Sequence, residues 1–162
     1  MNALDLLKQH HDEVKKLFKQ YEKLADGADA KRQELFEMIA DRLSAHATIE
    51  EQYFYPAVKA ADTEDLLREA AEEHLSVKRI LADMLELAAG DEEFDAKMQV
   101  VQEQVEHHIE EEETDLFKKV RKLLAKEQLE DLGLQMEQEF EELMEAEPRT
   151  QVPAQTDQAA PI

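Results

Sequence analysis

The chain has 162 residues, enough for one domain with a buried core. Its 40 acidic and 19 basic residues give a net charge of −21, which repels nucleic acid and anionic membranes, so we expect neither as a partner. Cysteine is absent, which excludes disulfides, iron–sulfur clusters and cysteine zinc sites. Neither a membrane-spanning run nor a signal-peptide pattern is visible, so we expect a cytoplasmic protein.

Three glycines and four prolines among many good helix formers predict an almost entirely helical chain. Breaks in the apolar pattern, each marked by a helix-stopping or capping residue, separate four long amphipathic segments. These segments are 2–25, 30–60, 63–89 and 92–124. Short connections between long helices favour antiparallel neighbours, so we predict an up-down-up-down four-helix bundle.

A fifth amphipathic segment, 126–146, is expected to pack on the outside of the bundle as an additional C-terminal helix. Together the five segments predict one domain over residues 1–147. The remaining residues, 148–162, are rich in Pro, Gln, Ala and Thr and lose the apolar pattern, so we expect a disordered tail.

Each of the four predicted inward-facing stripes contains a histidine, and two stripes carry a glutamate one turn later. Ionisable side chains are rarely buried unless they are paired or bind a metal. Four stripes that break this rule at a similar depth predict a shared site. Its candidate residues are His11, His46, Glu50, His74, His108 and Glu112.

The two halves of the chain form an internal repeat. The pattern that follows His11 returns in the second half at His74, and the His-x3-Glu pattern of His46 returns there at His108. The repeat favours His11 and His108 over their neighbours His10 and His107 as site residues. On the first helix His10 stays open as the alternative, because it also falls on an apolar stripe.

Residues four apart on a helix can reach one centre, so each His-x3-Glu pair can bind the same metal. Four imidazoles and two carboxylates exceed the four ligands of a structural zinc site and suit two first-row metals. In this arrangement the four histidines are terminal ligands, and Glu50 and Glu112 bridge the metals beside an oxide or hydroxide. Nitrogen and oxygen donors without sulfur favour two iron ions, with manganese as the alternative.

The order H…HxxxE…H…HxxxE over residues 3–124 resembles the hemerythrin-like, HHE cation-binding family, in its bacterial-type subgroup. The resemblance implies a non-haem di-iron centre inside a four-helix bundle. Members of the family carry or sense O2, handle NO or peroxide, or respond to iron. The O2 carriers have five histidines and an HxxxH element, which this chain lacks, so the resemblance is closer to members for which peroxide disproportionation has been proposed.

The resemblance therefore implies an oxidoreductase that acts on H2O2, O2, NO or a related small species, in the manner of a catalase and in a setting of oxidative stress. An O2-binding or iron-binding sensor or carrier without turnover is the alternative. The acidic fifth helix could dock a protein partner, and we expect a monomer or weak homodimer. A ferritin-like Glu-x-x-His pair, HExxH and a Walker loop are all absent.

Several residues near the six candidates have their own expectations. We expect His10 and His107 to lie behind the ligands, where such residues orient them, or on the surface. Tyr53 is expected to pack in the core, with a position behind the ligands as the alternative, since it lies one turn beyond Glu50. Three glutamates adjacent to candidate ligands should face solvent, because neighbouring residues on a helix point about 100° apart. These are Glu51, Glu73 and Glu113.

Overall fold

The computed structural model of the protein describes all 162 residues and contains only helices and their connections. The seven α-helices are α1 (Ala3–Glu22), α2 (Asp29–Ile49), α3 (Tyr55–Val58), α4 (Glu64–Leu85), α5 (Glu92–Glu111), α6 (Phe117–Leu123) and α7 (Lys126–Glu145). The predicted all-helical class is confirmed, whereas the up-down-up-down order stays a prediction. No helix combines the length and the apolar character that a membrane span requires.

Two π-helical turns join helices end to end without a break. Glu50–Phe54 connects α2 to α3, and Glu112–Leu116 connects α5 to α6. In both turns the backbone N–H five residues later donates to the carbonyl of the first glutamate. Such turns insert one extra residue per turn and occur often at functional sites. Here each begins at a candidate bridging glutamate.

The predicted breaks between the segments coincide with the loops. Gly27 and Gly90 adopt positive φ angles of 84° and 102°, which glycine tolerates without a steric penalty. Before α4, the buried hydroxyl of Thr63 accepts from the backbone N–H of Ala60 at 2.8 Å and donates to the carbonyl of Val58 at 2.8 Å. These local bonds end one helix and begin the next within a few residues of the predicted boundaries.

The apolar core has two parts, and the candidate site lies between them. On α1, Leu7 belongs to the first part and Val14 to the second, with His11 between them. On α4, His74 lies in the same way between Ala70 and Leu81. Helix α7 packs on α1 and α2 and adds its apolar face to the first part of the core, as expected for the fifth segment.

The prediction of a disordered tail is wrong. A 3-10 helix, Pro148–Gln155, runs across α2 and α4, and Val152 is fully buried in the second part of the core. Arg149 donates to Asp41 of α2 at 2.8 Å, and Arg79 of α4 donates to the carbonyl of Thr156 at 2.9 Å. Composition missed this segment because two buried side chains, Pro148 and Val152, and a few ion pairs fix it, not a repeated apolar pattern.

Candidate metal centre

The six candidate residues meet at one buried centre. Helices α1, α2, α4 and α5 each supply one histidine, and the two π turns supply the glutamates. Glu50 is fully buried, and its Oε1 atom lies 3.2 Å from the Nε2 atoms of both His46 and His74. The structure thus brings together all six residues, and their role as metal ligands stays a prediction.

The second carboxylate repeats this arrangement. Glu112 is 3% exposed, with Oε1 3.3 Å from Nε2 of His11 and Oε2 3.3 Å from Nε2 of His108. Each carboxylate therefore reaches one histidine from each half of the repeat. A carboxylate that lies between two histidines in this way can bridge two cations.

The donor atoms divide into two adjoining groups. In one, atoms of His11, His46, Glu50 and Glu112 all lie within 4.8 Å of one another. In the other, atoms of Glu50, His74 and His108 do so. Glu50 belongs to both groups, so the geometry suits two cations that share a carboxylate.

The buried polar atoms of the centre are suited to cationic partners. Six of its buried nitrogen and oxygen atoms have no hydrogen-bond partner: Nε2 of His11, His46 and His108, both carboxylate oxygens of Glu50, and Oε1 of Glu112. Each such atom costs roughly 1–3 kcal/mol when it is buried unpaired. Imidazole nitrogens and carboxylate oxygens are ligands of iron and manganese, so bound cations of this class would satisfy all six. The residues present therefore fit the metals that the sequence predicts.

Three of the histidines are oriented by carboxylates from neighbouring helices. Their Nδ1 atoms donate to Glu113 from His11 (2.7 Å), to Glu51 from His74 (2.7 Å) and to Glu73 from His108 (2.8 Å). Such bonds fix the ring so that Nε2 faces the centre and increase its basicity.

The expectation that these three glutamates face solvent is therefore wrong. Their side chains are only 11–23% exposed. A side chain next to a candidate ligand in the sequence is turned about 100° around the helix. At these three positions that turn points the carboxylate toward an adjacent helix that carries another candidate histidine. Glu51 also accepts from the buried Lys78 at 3.1 Å. Burial raises the pKa of Glu51, but hydrogen bonds from His74 and Lys78 outweigh it and lower that pKa.

The fourth histidine has a neutral partner. Nδ1 of His46 and Nδ1 of His10 are 3.3 Å apart, and the His10 ring stacks on Phe140 of α7 at 4.0 Å. Burial, together with the nearby His46 and Arg42, lowers the pKa of His10 to about 3. A neutral His10 can accept the Nδ1 proton of His46, which leaves Nε2 of His46 free for a metal. The repeat places His10 where the second half of the chain has Glu73.

The charges of the centre are strongly coupled. Burial lowers the pKa of His11, but the nearby Glu112 carboxylate and the hydrogen bond to Glu113 raise it to about 9. The same balance, with the nearby Glu112 carboxylate and the hydrogen bond to Glu73, raises the pKa of His108 well above its usual value. Burial opposes ionisation of Glu112, yet close polar contacts with Glu50, His108 and His11 hold its pKa well below the usual range.

Tyr55 is the tyrosine at the centre, whereas Tyr53 is not. The buried hydroxyl of Tyr55 donates to Oε2 of Glu112 at 3.0 Å, and its ring stacks on His74 at 5.7 Å. Tyr53 instead donates to Glu139 at 3.3 Å. The π turn explains the difference, because it aligns Glu50 with the residue five positions later rather than four. No sequence signal announced that turn.

His107 lies apart from the centre. Its side chain is 63% exposed, and its Nε2 atom lies 3.1 Å from Oε1 of Glu111 on the surface of α5. Of the two places expected for it, behind the ligands or on the surface, His107 takes the surface one.

A small cavity adjoins the four imidazoles on the side of the second core part. Its volume is about 50 Å³, and apolar side chains such as Val14, Val77, Leu81 and Ile109 line its walls. This space holds a molecule of only a few atoms.

Comparison with known proteins agrees with this geometry. The hemerythrin HHE cation binding domain family matches residues 2–120. A DNA nickase from Nostoc sp. is 32% identical over 130 residues, which are 80% of this chain and 36% of that relative, so the chain spans about a third of its length. The crystal structure of a hemerythrin HHE cation binding domain-containing protein from Mycobacterium kansasii covers 90% of this chain and 89% of its own, with a TM-score of 0.77 and 26% identity. Because the family model matches most of its length, and the four histidines and two glutamates meet at one centre, this chain belongs to the hemerythrin HHE cation-binding family.

Proposed function

We propose that the protein holds two iron ions and is an oxidoreductase that acts on hydrogen peroxide or another small oxygen or nitrogen species, in the manner of a catalase. The six unpartnered donor atoms of the buried centre carry this proposal. Manganese is the alternative metal, since the same donors suit it.

The terminal ligands in this proposal are His11, His46, His74 and His108, and the bridging ligands are Glu50 and Glu112. When bound, the metals supply electrons and open positions for a small ligand. The protein fixes the positions of the donors, because the Nδ1 atom of each candidate histidine has a partner. A carboxylate holds three of these atoms, and the neutral His10 holds the fourth. Tyr55 holds its hydroxyl proton against Oε2 of Glu112 at 3.0 Å.

The cavity beside the imidazoles supports the substrate class. A volume of about 50 Å³ admits peroxide, O2 or NO and excludes organic substrates. Its apolar walls limit the water next to the centre, which protects reactive species from side reactions.

A sensor or carrier without turnover is the second candidate function. The observation that favours it is the C-terminal 3-10 helix, which ties α2 to α4. Arg149 bonds to Asp41 on α2, and Arg79 of α4 bonds to Thr156. Because both helices carry candidate ligands, a change at the centre could reach this segment.

We further propose an up-down-up-down bundle in one domain over residues 1–147, a cytoplasmic location and a monomer or weak homodimer. A protein partner would bind the acidic face of α7. DNA is an unfavourable partner for this chain, because a net charge of −21 repels phosphates. The activity named for the Nostoc relative therefore stays with that longer protein.

Peroxide consumption separates the two candidate functions. We expect iron-loaded protein to consume peroxide rapidly and the Glu50→Gln variant to lose most of its iron and activity, because a carboxamide cannot bridge two cations as a carboxylate does. Glu110→Gln, an exposed change on the same helix as His108, is the matched control and should behave as the wild type. Slow turnover with a stable, reversible spectrum under O2 would favour the carrier or sensor.

A further inference from the structure

A second group of metal-binding side chains lies on the surface between α4 and α5. Donor atoms of Glu73, His107 and Glu111 all lie within 4.8 Å of one another. One imidazole and two carboxylates form a mixed nitrogen and oxygen set, which suits divalent first-row cations. None of these residues belongs to the six candidates of the buried centre.

This surface group opens into a narrow cleft that reaches the buried centre. The cleft has a volume of about 20 Å³, and its outer wall includes Glu69, Glu73 and Glu111. His108 and Glu112 form part of its inner wall. Glu112 is 3% exposed and has an unpartnered Oε1 atom. The volume is sufficient for one water-sized particle.

Glu73 connects the two sites directly. One of its oxygens accepts from Nδ1 of His108 at 2.8 Å, and its carboxylate also belongs to the surface group with His107 and Glu111. A cation bound at the surface group would thus be one side chain away from a candidate ligand of the centre.

The internal repeat indicates that folding does not require this polar cleft. When His74 is aligned with His11 and His108 with His46, the polar residues of the surface group and of the outer cleft wall acquire equivalents in the first half of the chain. Glu69, Glu73, His107 and Glu111 then correspond to Leu6, His10, Ala45 and Ile49. All four equivalents are buried, three of them in the core part that α7 covers. The same position is therefore closed and mostly apolar in one half, and open and acidic in the other.

We propose that Glu69, Glu73, His107 and Glu111 form a loading site, which binds a divalent first-row cation, Fe(II) or Mn(II), on its way to the buried centre. This inference rests on the proposed two-metal centre. The cluster attracts the cation from solution, and the cleft leads it to His108 and Glu112. Glu69, His107 and Glu111 act on the rate of metal uptake and leave the final metal content unchanged, whereas Glu73 also orients His108.

The first test is the rate at which metal-free protein takes up Fe(II) without oxygen, measured as protein-bound iron after timed quenching with a chelator. We expect Glu111→Gln to take up iron roughly tenfold more slowly than the wild type and to reach the same final iron content. Glu69→Gln, which changes a cleft residue that makes no hydrogen bond to a candidate ligand, should also slow uptake. The matched control is Glu110→Gln, which removes the same charge outside the cleft and should keep the wild-type rate.

A second test detects the loading site itself. Mn(II) is titrated into protein whose buried centre is already filled, and the bound ion is followed by electron paramagnetic resonance. We expect one additional, weakly bound Mn(II) that Glu111→Gln loses and Glu110→Gln retains.

The outcomes are distinguishable. Equal uptake rates in wild type, Glu111→Gln and Glu69→Gln, with two metals bound in each, would overturn the loading site and leave the buried centre intact. Wild-type protein that takes up no metal would overturn the proposed function and the loading site with it.

Discussion

Removal of the metals should lower the melting temperature of the protein by roughly 6–12 °C. The perturbation is dialysis against a strong chelator, which leaves the sequence and the fold unchanged. The buried centre then keeps six donor atoms without a partner, which are six of the seven such buried atoms in the chain. The seventh lies in the C-terminal segment and should not respond to metal.

The magnitude follows from those six atoms. At about 1 kcal/mol each, the low end for a buried unpaired group, they cost about 6 kcal/mol in the metal-free protein. Four His–Glu pairs at 3.2–3.3 Å recover part of this, and we take half as recovered. About 3 kcal/mol is then restored by metal, and a chain of this length gains roughly 2–4 °C per kcal/mol.

The assay is thermal unfolding followed by circular dichroism, with metal-loaded and chelated protein at equal concentration. Glu50→Gln should lose most of the metal-dependent shift, because it removes the carboxylate shared by both donor groups. The exposed Glu110→Gln should keep the full shift. A wild-type melting temperature that does not respond to iron or manganese would refute the reasoning, since the polar groups would then satisfy one another.

Four further predictions concern the centre and the C-terminal segment. Tyr55→Phe copies the ring that the second half of the repeat carries at the equivalent place, so metal content should equal that of the wild type, and a lost metal would assign the hydroxyl a ligand role. Metal binding at pH 7 should release up to three protons per chain, because hydrogen bonds to carboxylates outweigh burial and raise the pKa values of His11, His74 and His108 in the metal-free protein, that of His11 to about 9. In that metal-free protein the stabilisation from His11 should be complete below about pH 6.5 and lost as the pH rises through 9. A weakly buffered indicator titration measures the proton release, and unfolding experiments at different pH values measure the stabilisation. A binding step without proton release would contradict the raised pKa values. Val152→Ala should lower the stability by about 2 kcal/mol at unchanged metal content, since it leaves a cavity in the core, whereas an unaltered denaturation midpoint would indicate that the segment does not pack.

The sequence predicted the helical class and the six residues at the centre because both depend on periodic patterns. Apolar spacing located the helices within a few residues, and the internal repeat favoured His11 over His10 and His108 over His107. The repeat also indicates which glutamates orient the histidines. It makes Glu51 and Glu113 equivalent, and both glutamates bond to the Nδ1 atom of a candidate histidine.

The remaining features depend on tertiary contacts that no local pattern announces. The π turn after Glu50 places Tyr55 at the centre in place of Tyr53, and ordinary helical spacing cannot foresee an inserted residue. The C-terminal segment is ordered by Val152 and Arg149, and the partner of Arg149, Asp41, lies far earlier in the chain. The composition of a segment does not show such single contacts, because they depend on residues elsewhere in the chain.

The most direct test of the proposed centre is metal analysis, combined with an absorption spectrum, of protein purified in air without added metal. The proposed centre predicts about two iron ions per chain, with near-ultraviolet charge-transfer bands that disappear when the iron is removed. Protein that contains no metal, and binds none when Fe(II) is added without oxygen, would contradict the account. The histidines and glutamates would then form a metal-free polar core, and the function would have to be sought at the surface.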